Sequence, residues 1–80
     1  MFYVYIIQSK KFAKTYVGYT QNLKDRLACH NSGGSIYTAN DRPWKLIVCI
    51  AFMDEAKAIE FEKYLKSQSG RAFLNKRFLN

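Results

Sequence analysis

Residues 2–8 read Phe-Tyr-Val-Tyr-Ile-Ile-Gln, aromatic and β-branched, with no polar member before Gln8. A strand of that composition cannot leave one face in water; it belongs in the middle of a sheet with layers on both sides. The chain has 80 residues, and a domain of that size buries only roughly 60–65% of the surface its unfolded chain exposes, so it has material for one core. A single domain over residues 1–80 is expected. Apolar residues at 49% and aromatics at 16% set it far from a disordered composition.

The remaining elements are placed relative to that first strand. Ser9 to Lys14 carries three lysines and reads as a solvated turn, after which Thr15 to Thr20 resumes the β pattern, giving a hairpin. Gly18 interrupts the second run, as glycine does where a strand bulges or another group comes close. Asn22, with Asp25 three residues on, caps a helix whose inner face holds Leu23 and Leu27, and Asn31-Ser32-Gly33-Gly34 stops it. Ser35 to Arg42 is a polar loop that Pro43 ends, holding Arg42 extended. A third strand runs from Trp44 to Phe52. Asp54 caps a second helix from Glu55 to about Lys66, and Gln68-Ser69-Gly70 is expected to break it. Arg71 to Phe78 then forms a short basic helix packed through Phe73, Leu74 and Phe78. The order is β-β-α-β-α-α, an α+β arrangement.

Thirteen Lys and Arg against six Asp and Glu leave a net charge of +7, which points to a polyanionic partner such as nucleic acid. No apolar run reaches the ~18 residues of a membrane span, and no basic amphipathic helix of the surface-seeking kind is present, so no membrane partner is expected. Cys29 and Cys49 stand alone without CxxC pairing or a secretory leader, the pattern of a reduced cytoplasmic protein. A zinc site from Cys29, His30 and Cys49 lacks ligands and spacing.

Two features ask for more than packing. Arg26 and His30 fall one helical turn apart and border the Leu23/Leu27 stripe. They fit either an arginine stem along the core edge with a carbonyl-bonded histidine, or a pair of functional groups beside the sheet. Glu62 falls among Ala58, Phe61 and Leu65, the inner face of the second helix. A carboxylate against a core costs several kcal/mol unless a cation, a metal or hydrogen bonds compensate it. A salt bridge to Arg26 is one reason for it; a metal ligand is another.

The ordered set Tyr3-Val4-Tyr5, Tyr16-Val17-Gly18, Arg26, His30 and a glutamate in a later helix resembles the GIY-YIG nuclease family, over nearly the whole chain. Its small stand-alone bacterial branch is the most similar, through Leu27 to Gly33, Arg42 to Leu46 and Glu62 to Lys66. The resemblance implies a three-stranded antiparallel sheet flanked by three helices, with a phosphodiester site on one face. It implies that Tyr5 and Tyr16 present hydroxyls to the scissile phosphate or the attacking water, with the choice of base open between them. It further implies that Arg26 neutralises charge on the phosphorus, that His30 assists the proton transfer or the phosphate, and that Glu62 holds a single Mg²⁺ or Mn²⁺. Tyr19, Tyr37, Thr38, Arg42 and Asn75 are expected to contact the nucleic acid. DNA, or structured nucleic acid, is the expected substrate. Target choice would come from nucleic-acid shape, a homodimer or a targeting partner protein, because the chain has no room for a separate reading element. Two positions depart from the family pattern: Tyr3 replaces the leading glycine, and Tyr19 stands where some relatives carry a lysine. The competing expectation is a module that binds nucleic acid through its basic, tyrosine-rich surface without turnover.

Overall fold

The computed structural model describes residues 1–79. Strand β1, Phe2–Ser9, lies in the centre of a three-stranded antiparallel sheet, with β2, Thr15–Thr20, on one side and β3, Trp44–Phe52, on the other. The central place of β1 follows from its composition, since only there are both of its faces covered. Its side chains alternate between two cores. Val4 and Ile6 join Val17, Ala58, Leu65 and Leu74 on one face. Tyr5 and Ile7 join Trp44 on the other, with Tyr16, Leu23, Leu27 and Cys49 packed against them.

Helices α2, Glu55–Lys66, and α3, Gln68–Leu74, cover the first face, and α1, Leu23–Ser32, covers the second. The β1–β3 register shifts between Ile6 and Ile7, which pair with Val48 and Leu46. The extra residue, Ile47, lets Ile47 and Val48 both pack on the α2 side.

Caps set the helix ends. The Asn22 side chain accepts from Asp25 N–H at 3.1 Å, and Asp54 accepts from Ala56 N–H at 2.9 Å. Gly33 ends α1 with φ +84°, the left-handed geometry that favours glycine at this position.

One boundary differs from expectation. The second helix ends at Lys66 as expected, but the Ser67 hydroxyl accepts from Gly70 N–H at 3.1 Å and so caps α3, which begins at Gln68 with Ser69 and Gly70 inside it. The serine as an N-cap explains why the chain restarts at once. Gly70 is buried where a Cβ would collide with the Tyr64 carbonyl, so the two helices meet backbone to backbone. Beyond Leu74 the chain continues as a π-helical turn, Asn75–Leu79. Rings at Phe52, Phe61, Tyr64, Phe73 and Phe78 follow one another with centroids 5.6–6.2 Å apart and tie β3, α2, α3 and that turn together. A short 3₁₀ turn, Ala39–Asp41, sits within the 35–42 loop.

Candidate active site

The site begins with a cross-strand pair. Tyr5 on β1 faces Gly18 on β2, and a Cβ at Gly18 would land on the Tyr5 ring and hydroxyl. The missing side chain is what allows the ring to lie across β2. From there the Tyr5 hydroxyl reaches His30 Nε2 at 2.8 Å, and His30 Nδ1 meets the Thr38 hydroxyl at 2.8 Å. Tyr5, His30 and Thr38 have 0%, 0% and 1% of their surface exposed.

A second ring of contacts fixes this chain of bonds. Trp44 Nε1 donates to the Thr38 carbonyl at 2.9 Å. The Asn31 side chain accepts from Trp44 N–H at 2.6 Å and donates to the Trp44 carbonyl at 3.2 Å, tying the end of α1 to the start of β3. Tyr16 stands beside the pair, its ring edge-on to His30 at 5.0 Å and 6.4 Å from Tyr5. It is half-buried, whereas Tyr5 is sealed.

Burial dominates the electrostatics. It pushes the Tyr5 phenol up to about 12, while the Arg26 guanidinium beside the hydroxyl pulls the other way. Tyr5 in turn keeps Arg26 charged more firmly than usual. His30 lies below its ordinary value, first through burial and then through the nearby Arg26 charge. Both Tyr5 and His30 therefore rest in their neutral forms at pH 7, under an exposed arginine.

Glu62 comes from α2, on the other side of the sheet. Its side chain is 21% exposed and pairs with Lys66 at 3.2 Å, one turn along the same helix. The bridge to Arg26 considered from the sequence does not form, because Lys66 is nearer and on the same helix face. Glu62 is still close enough to add a small upward push on both Tyr5 and Tyr19. Tyr5, Tyr16, Arg26 and His30 are thus gathered tightly, with Glu62 at their margin.

The expected nucleic-acid contacts divide. Tyr37 is 83% exposed, and Arg42 and Asn75 are also at the surface. Tyr19 is half-buried, stacked on Phe2 and donating to Glu55 at 2.6 Å, a bond that raises its phenol above the ordinary value. Thr38 departs from expectation: it is turned inward as the partner of His30 instead of lying on the surface. Its position in a polar loop gives no sign of that, since the bond spans the 33–38 turn and depends on how Trp44 docks. The roles of Trp44, Asn31 and Lys66 also escape a reading of the sequence; only the one-turn spacing of Glu62 and Lys66 hints at their pairing.

Comparison with known proteins settles the family, because the GIY-YIG catalytic domain matches residues 1–77 of this chain. The chain belongs to the GIY-YIG family. It is similar to a UPF0213 protein of Streptococcus pneumoniae serotype 4, at 38% identity over 80% of this chain and 65% of the relative. It is also similar to one of Staphylococcus haemolyticus, at 38% identity over 84% of this chain and 82% of the relative. The match thus spans just under two thirds of the pneumococcal relative's length. A UPF0213 protein of Bacillus halodurans, solved by NMR in solution, shares the fold with a TM-score of 0.58 and 32% identity, covering 95% of this chain and 84% of that one. GIY-YIG membership places the chain in a nuclease family whose members bind nucleic acid and generally use divalent metal ions. Among the described residues, no three His, Cys, Asp or Glu side chains gather as a metal cluster, and no helix is long and apolar enough to cross a membrane.

Proposed function

We propose that this GIY-YIG domain hydrolyses phosphodiester bonds, with DNA or structured nucleic acid as substrate, at Tyr5, Tyr16, Arg26, His30 and Glu62. The observation that carries the reading is the buried Tyr5–His30–Thr38 chain of hydrogen bonds directly beneath the exposed Arg26. A structural core has little use for a neutral histidine bonded at both nitrogens under an exposed guanidinium. A phosphoryl site needs such a fixed polar floor beneath a cation.

The donor set suits Mg²⁺ or Mn²⁺ held by Glu62. The carboxylate is partly exposed and, among the described residues, is balanced by the Lys66 amine alone; Mg²⁺ commonly takes one or two protein carboxylates and keeps several of its own waters. When bound, such an ion supplies positive charge to the nonbridging oxygens and makes a coordinated water more acidic. Arg26 contributes a planar pair of donors that fits two phosphate oxygens. His30 is held at both ring nitrogens, Nε2 by the Tyr5 hydroxyl and Nδ1 by Thr38, which fixes its orientation beneath Arg26. Tyr5 has no exposed surface and holds its proton firmly, so we assign it to orienting His30. The partly exposed Tyr16 hydroxyl is assigned to contact with the attacking water or the phosphate.

The test is a nicking assay with Mg²⁺ or Mn²⁺ on supercoiled, single-stranded and branched DNA. Glu62→Gln and Arg26→Gln are each expected to lower the rate by about 10²-fold or more. Absence of cleavage on every DNA form, or cleavage indifferent to Glu62→Gln, would reject hydrolysis. Binding without turnover is the second reading, favoured by the Lys66 amine that already neutralises Glu62. It predicts a salt-sensitive complex that survives both EDTA and Glu62→Gln.

A further inference from the structure

A groove of about 260 Å³ runs between the outer edge of β2 and the α2–α3 junction, lined by Thr15, Tyr16, Lys66, Arg71 and Asn75 over a floor that includes Leu65 and Leu74. Among the described residues the outer edge of β2 pairs with no strand, since the sheet order is β2-β1-β3. Its outward backbone groups therefore remain available as hydrogen-bond donors and acceptors. Lys66 and Arg71 are exposed, and among the described residues Arg71 has no acidic partner. Gly70 holds the two cations together by seating α3 directly on the last turn of α2.

We infer that this groove takes the sugar-phosphate backbone of a nucleic-acid strand, with Lys66 and Arg71 on its phosphates and Asn75 beside them. Charge complementarity selects that occupant. A protein segment added to β2 would meet two cations, Lys66 already paired with Glu62, and no acidic group among the described residues that line the groove, whereas a phosphodiester strand needs cations and tolerates an apolar floor. The groove meets the candidate site at Tyr16, and its Lys66 is the residue that pairs with Glu62. The strand bound there is thus the one that continues away from the scissile phosphate. That direction rests on the hydrolytic reading above; the occupancy of the groove does not.

Binding is measured in EDTA, apart from any cleavage, by fluorescence anisotropy of labelled single-stranded and duplex DNA over a range of salt. Lys66→Ala/Arg71→Ala is compared with Lys57→Ala/Lys63→Ala, which removes the same charge from exposed positions on α2. Arg71→Gln keeps the side-chain stem and separates charge from packing. The groove pair should weaken binding several-fold more than the control pair. It should also lower the slope of log affinity against log salt by about two, one for each phosphate that no longer meets a cation. Arg71→Gln should lower it by about one. Equal losses of affinity in the two double variants, or an unchanged slope in the groove pair, would overturn the inference. Absence of cleavage while the groove pair still governs binding would count against hydrolysis alone.

Discussion

Tyr5 and His30 together bury a phenol and an imidazole with no exposed surface, joined by one 2.8 Å hydrogen bond. Each is held neutral by its surroundings, and the two make opposite demands on pH. Tyr5 is raised from 10.0 to about 12 in the fold, so the stability it lends is fully present below pH 10 and is lost as pH rises toward 12. His30 is lowered from 6.5, so its contribution is present above pH 6.5 and is lost as pH falls through its depressed folded value. Urea midpoints should therefore be level through the neutral range and fall on both sides. In His30→Gln the limb that begins near pH 6.5 should disappear, while the alkaline limb persists. An acid limb of unchanged onset in that variant would show that other groups set it.

Most elements are legible in the sequence because their signals are local. The unbroken apolar run of β1 requires a central strand, and side-chain caps at Asn22 and Asp54 mark where α1 and α2 begin. The end of α2 near Lys66 is read correctly, but the start of α3 is misplaced from sequence because glycine suggests a stop by its conformational freedom. Gly70 is required for a different reason, the close approach of two backbones. Gly70→Ala should accordingly destabilise the fold by about 1–3 kcal/mol or more, since neither the Tyr64 carbonyl nor α3 can move independently. Chemical denaturation with far-ultraviolet circular dichroism measures it. A loss of a few tenths of a kcal/mol, the ordinary range for an exposed helical site, would mean the junction is looser than it looks. Of the candidate site, the residue types and their order can be read in the chain. The inward turn of Thr38 depends on packing between elements distant in sequence, whereas the Glu62–Lys66 pair is a local one-turn contact that a search for a partner across the sheet passes over.

At the scale of the molecule, a net charge of +7 gives attraction for a polyanion, and the proposed function adds a divalent ion at the partly exposed Glu62. Binding to the folded state alone raises the melting temperature with ligand concentration. Mg²⁺ or Mn²⁺ should therefore raise it in the wild-type protein and leave Glu62→Gln unmoved. An equal rise in both would place the ion elsewhere. The sheet order carries a further consequence, in time instead of space. β1 is joined to β2 by the short 10–14 loop but to β3 only through α1 and the loop that follows, so loop-closure entropy predicts that its β2 edge is covered before its β3 edge. Until β3 docks, one edge of the most buried strand in the chain is open to any neighbour. The interval between hairpin and third strand is then when refolding competes with aggregation, and the yield of native protein should fall as concentration rises.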